Sequence, residues 1–146
     1  MGRRKSVVAL LLAGLLLAAS GCRHTSAEQR VREAIAAMAQ AAQAGDARAV
    51  VAPIADDFDG NAGALDRSAL RNMVRLLALQ QATIGAHVGP ITIDTRGSRI
   101  VASFVVTLTA GNRALPDRMG TYRMETAWRK DSGTWRCYNA SWKQVM

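Results

Sequence analysis

Cysteine and histidine are scarce in this chain, with two of each among 146 residues. Cys22 and Cys137 allow at most one disulfide, and two histidines, His24 and His87, do not supply a clustered three- or four-ligand metal site. No metal and no cofactor is therefore expected. The sequence also lacks a Gly-rich phosphate loop and a serine nucleophile elbow, so phosphate chemistry and α/β-hydrolase chemistry have no foothold. Its cations, mostly arginines, never form a run of five or six, and a solvated surface is a simpler reading than a nucleic-acid patch. The longest apolar run, Val7 to Ala19, has 13 residues, whereas a membrane-spanning helix takes roughly 20.

What is present begins with an export signal. Arg3, Arg4 and Lys5 precede the apolar run, and Ala19-Ser20-Gly21 leads directly into Cys22. This layout resembles a bacterial lipoprotein precursor, with Cys22 as the lipidation site. Ordinary secretory cleavage after Ala18-Ala19-Ser20 is the other reading, and it leaves Cys22 unacylated. Lipidation implies a membrane anchor at the cell envelope, facing the periplasm. Arg23 is not the aspartate that commonly retains lipoproteins at the inner membrane, so the outer membrane is favoured. Removing 1–21 leaves 125 residues with a net charge of +5, enough for one domain. Residues 22–27 are the modified cysteine and a short polar tether, and 28–146 the domain. An acylated Cys22 leaves Cys137 alone, buried and inert by default.

Along the domain the apolar period changes once. From Glu28 to Ala44, Val31, Ile35, Met38 and Ala42 recur at helical spacing, and Gly45 stops the helix. Asp46 caps a short second helix ending near Asp56-Asp57-Phe58. After a turn over 59–63, Asp66 caps a third helix to about Gln81, with Leu70, Met73, Val74 and Leu77 inward. Beyond Gln81 the period is two. Strands are expected from Thr83 to Asp94, bent at Gly89-Pro90, then Arg99 to Ala110, Thr121 to Lys130 and Thr134 to Gln144, as an antiparallel meander.

Alternation assigns the faces. Phe104, Tyr122, Met124, Trp128, Trp135, Cys137, Asn139 and Ser141 fall inward, an aromatic lining that is either plain core or a pocket for a small apolar ligand. Arg123, Arg136, Tyr138 and Trp142 fall on the outer face with Arg129, Val101 and Val105. That mixture is characteristic of interface centres, and a homodimer or an envelope protein is the expected partner. Nucleic acid is not.

The order of elements, the Gly45-Asp46 break, Asp-Asp-Phe at 56–58 and the ending W-R-K-D-S-G-T-W-R-C-Y-N-A-S-W at 128–142 resemble the nuclear transport factor 2-like superfamily, including its SnoaL-like domains. The resemblance implies an α+β cone, with three N-terminal helices packed on a curved antiparallel sheet of about four strands and a pocket between them. It also implies dimerisation through the outer sheet face in many members. Some relatives are isomerases, dehydratases or hydrolases, and others only bind. The catalytic candidates are His87, Tyr122 and Asp57. None has an evident orienting partner, so no acid and base pair assembles, and a binding protein is the expected function. A small pocket enzyme is the alternative.

Overall fold

The structure is a computed structural model that describes residues 25–112 and 118–146. The signal segment, Cys22, His24 and half of the loop expected over 111–120, residues 113–117, lie outside the described residues.

Three helices come first. The helix α1, Ala27–Gln43, is capped by the Ser26 hydroxyl, which accepts from the Gln29 N–H. It ends as expected at Gly45, whose φ of 68° is one that glycine adopts without a Cβ penalty. The second helix, α2, Ala47–Val51, is capped by Asp46, and α3, Arg67–Leu79, by Asp66. Each carboxylate accepts from the N–H three residues on, satisfying a donor that the helix leaves unpaired.

Between α2 and α3 lies a strand where the sequence suggested a helix end and a turn. This strand, β1, Ile54–Gly60, pairs in parallel with the last strand of the chain. Ile54, Ala55 and Phe58 are buried while Asp56, Asp57 and Asp59 face solvent, so its burial follows neither helical nor strict strand period. The remaining strands are β2, Thr83–Val88, β3, Thr92–Arg96, β4, Arg99–Gly111, β5, Arg118–Asp131, and β6, Thr134–Gln144. The segment expected as one bent strand is thus two, interrupted at Gly89-Pro90, and both pair antiparallel with β4. The sheet is mixed and six-stranded, in the order β1-β6-β5-β4-β2 with β3 also on β4, where about four antiparallel strands were expected.

The β5–β6 hairpin turns through Ser132 and Gly133, both at positive φ (48° and 83°), as a two-residue loop compatible with strand twist requires. The core lies between α1, α2, β1 and the inner sheet face. Its fully buried side chains include Val31, Ile54, Ile100 and Trp128. Val74 is the buried residue of α3. Leu70 and Leu77 are half-buried, whereas Met73, expected inward, is exposed.

Candidate functional site

The inner sheet face carries the core. Phe104, Trp128 and Cys137 are buried, and Tyr122, Met124 and Trp135 pack half-buried around them. The polar groups there satisfy one another: Trp128 Nε1 donates to Thr126 Oγ1 over 2.9 Å, and that hydroxyl donates to the Ala102 carbonyl over 3.1 Å. Among the described residues no buried side-chain nitrogen or oxygen lacks a partner. Burial pushes the Cys137 thiol up to about 12, which keeps it protonated and unreactive.

Two lining residues are misplaced by simple alternation. Trp128 pairs with Cys137, but its neighbour Ala127 pairs with Asn139, leaving Tyr138 as an extra residue on β6. Beyond this bulge every side chain changes face. Asn139 lies opposite Ala127 and Ser141 opposite Glu125, on the outer face, while Ala140 and Trp142 join Thr126 and Met124 on the inner one. Trp142 is half-buried against the core and leaves the outer set. Its ring lies against Gly60, where an added Cβ would come within 2.9 Å of it.

The outer face is built around a cross-strand row of arginines. Arg96 pairs with Arg99, Arg99 with Arg129, and Arg129 with Arg136, an arrangement that repels unless compensated. Arg96 takes Asp94 at 2.7 Å. Arg129 binds Asp57 through both terminal nitrogens (2.7 and 3.1 Å) and Asp131 through Nε (2.9 Å). Arg136 donates to the Ala52 carbonyl at 2.8 Å. Tyr138 sits under two of these cations, its ring centre 5.2 Å from the Arg129 guanidinium and 5.7 Å from that of Arg99, within cation–π range. Toward the middle of the face, Ser103, Arg123, Glu125, Ser141 and Lys143 line most of a shallow hollow of about 320 Å³. A second hollow of about 630 Å³ runs between Asp56, Asp57, Arg67 and Arg129 at the sheet edge.

The catalytic candidates are not brought together. His87 is exposed, opposite Thr107 on the outer face, with no hydrogen-bond or ion-pair partner among the described residues. Tyr122 is on the inner face. Asp57 is exposed and held by the hydrogen bonds from Arg129, which lower its pKa below the ordinary 3.8, the wrong direction for a proton-transfer group working near neutrality. No group of three or more His, Cys, Asp or Glu among the described residues is placed to hold a metal. Because the folded pKa of Asp57 is depressed, its contribution to stability is complete above about 3.8 and is lost as the pH falls through the lower folded value. Asp57→Asn is therefore expected to flatten the acid limb of a stability–pH profile below pH 3.8 and to change little near neutrality, since the pair is exposed and screened. Urea denaturation across pH 2 to 7 checks this.

Sequence reasoning missed the Asp57–Arg129–Asp131 network, because it joins β1 to β5 across 72 residues. It also missed Ser103 and Lys143, ordinary residues made notable only by strand register.

Three helices on this mixed sheet define the nuclear transport factor 2-like, or cystatin-like, fold. An NTF2-like protein with a cystatin-like fold from Novosphingobium aromaticivorans superposes with a TM-score of 0.65 at 19% identity, covering 92% of this chain and 88% of that one. One from Cytophaga hutchinsonii gives 0.65 at 14%, covering 82% and 99%. A candidate scytalone dehydratase of N. aromaticivorans gives 0.67 at 16%, covering 82% and 84%. No protein-family model matches the sequence, and no curated protein is similar to it in sequence. Identities this low carry the fold and not the activity.

Proposed function

We propose that the chain is an exported, lipid-anchored binding protein, held at the cell envelope through Cys22, facing the periplasm, and recognising an envelope protein through its outer sheet face. Outer-membrane placement is favoured by Arg23. The observation that carries the recognition reading is the Tyr138 ring under the paired Arg99 and Arg129 guanidinium groups on the outer face. An aromatic ring and guanidinium groups held together in this way are typical of binding hot spots. Noncovalent binding is preferred to catalysis because His87, Tyr122 and Asp57 occupy separate places. An inner face packed as core, with its buried polar side chains already paired, favours a protein partner over a small apolar ligand. The pocket-enzyme alternative draws on the likeness to a candidate dehydratase alone.

Two measurements test the reading separately. The full-length chain should stay with membranes through a high-salt wash and Cys22→Ala should be released by it, because salt screens a surface contact but not a buried acyl chain; equal retention of the two overturns the anchor. Crosslinked partner recovered with the intact chain should fall about tenfold for Tyr138→Ala, the size of a hot-spot loss. Unchanged recovery, or a small molecule seen by native mass spectrometry of residues 23–146 and lost on denaturation, overturns the outer-face reading.

A further inference from the structure

Exposed large hydrophobic side chains are concentrated at one end of the molecule. Leu76 and Leu79 project from the last turns of α3, and Leu79 is 74% exposed. The next residue, Gln80, accepts a hydrogen bond from Asn112 at the end of β4, which fixes α3 against the β4–β5 end of the sheet. Leu108 on β4 lies there opposite Gly120, and Met119, 75% exposed, lies opposite Thr109. The C-terminus closes on the same point: the Thr121 N–H donates to the carbonyl of Met146, which is 81% exposed.

Among the described side chains, the charges beside the leucines are cations. Arg71 and Arg75 are exposed on α3, eight and four residues before Leu79 and so on its side of the helix; Arg123 and Lys143 stand farther in, in the hollow they share with Glu125. Neither Arg71 nor Arg75 has an ion pair among the described residues. Protruding leucines and methionines set among uncompensated cations are what an anionic lipid surface accommodates: the apolar tips enter the boundary of the acyl region and the cations meet phosphate. A bilayer needs no matching relief, and these side chains stand out as a projection, with both hollows described above lined chiefly by other residues. A second copy of the chain would set the same cations against one another, because a twofold contact pairs a patch with itself.

We infer that this end is a membrane-docking surface selective for anionic lipid. The contact is made by the protein itself and does not depend on an acyl chain at Cys22. The tether leaves from elsewhere: Glu28, in the first turn of α1, accepts a hydrogen bond from Thr95 at the β3–β4 hairpin, the opposite end of β4 from Leu108.

The test uses residues 23–146, which hold every core residue described and carry no lipid, sedimented with vesicles of phosphatidylglycerol or of phosphatidylcholine. Partition to phosphatidylglycerol should exceed that to phosphatidylcholine by about tenfold or more and weaken with salt. Leu79→Ser and Met119→Ser should each reduce it several-fold, and Arg71→Glu with Arg75→Glu should remove the lipid selectivity. Val105→Ser, exposed in the middle of the outer face, should leave it unchanged. Absence of sedimentation with phosphatidylglycerol, or sedimentation indifferent to Leu79 and Met119, overturns the inference. Binding of an acidic leucine–glutamate helical peptide in place of vesicles overturns it in favour of a protein partner. Because Cys22 is absent from the tested chain, failure here leaves the anchor untouched.

Discussion

Deleting Ala140 is expected to destabilise the fold far more than deleting Tyr138, although each shortens β6 by one residue. The bulge at Tyr138 is pinned on both sides. Upstream, the Asp131–Thr134 hairpin fixes the pairing of Trp128 with Cys137. Downstream, Asn61 clamps the Trp142 backbone, donating to its carbonyl over 3.2 Å and accepting from its N–H over 2.8 Å. Tyr138 is the residue that the ladder leaves out, so without it Cys137 still meets Trp128, Asn139 still meets Ala127, and plain alternation keeps Asn139 and Ser141 outward and Ala140 and Trp142 inward. Only the stack with Arg99 and Arg129 is lost. Without Ala140 the two pins can be kept only by drawing Tyr138 into the ladder and turning Asn139 inward in the place of Ala140, which is 5% exposed. A buried amide without a partner costs about 1–3 kcal/mol, and the larger side chain in an alanine's place costs about 1–3 kcal/mol more. Against a total stability on the order of 5–15 kcal/mol the sum is a large share. The midpoint of a urea titration followed by tryptophan fluorescence reads the difference: a small shift for the Tyr138 deletion and a large one for the Ala140 deletion. Equal losses would show that the register is not fixed by the bulge.

Trp128→Ala is expected to be the most destabilising single substitution in the core, at about 3–5 kcal/mol, the range for removing a buried aromatic side chain. Trp128 is 1% exposed, the largest of the fully buried side chains. Its indole N–H also donates to Thr126 Oγ1, so the loss combines a cavity with a weakened polar pair. The midpoint of urea denaturation should fall with its slope unchanged. Trp135→Ala, at the half-buried margin of the same sheet, should cost clearly less. Equal losses at the two positions would mean that the core is not centred on Trp128.

The parts of this fold legible in the sequence are those whose signals are local. Asp46, Asp66 and Gly45 punctuate the helices where expected, and the change of period after Gln81 marks the start of the strands. Within β5, alternation assigned Tyr122, Met124, Thr126 and Trp128 correctly to the inner face. β1 was illegible because Asp56, Asp57 and Asp59 in seven residues read as a turn, and nothing local announces a parallel partner at the far end of the chain. The bulge was illegible for a related reason. One extra residue leaves composition and average periodicity intact while reversing every face beyond it, which is why Asn139, Ser141 and Trp142 were assigned to the wrong sides. The partner that holds the Asp57 carboxylate, Arg129, was illegible as well, because only the folded sheet supplies it.

The parallel pairing of β1 with β6 also bears on the order in which the chain becomes a protein. Ile54 is matched to Cys137 and Gly60 to Ala140, so the edge strand emerges from the ribosome some 80 residues before the strand that receives it. Until β6 exists, Ile54 and Phe58 have no completed surface to cover, and contacts at this separation are the slowest to form. The sheet can close only after synthesis of the last strand.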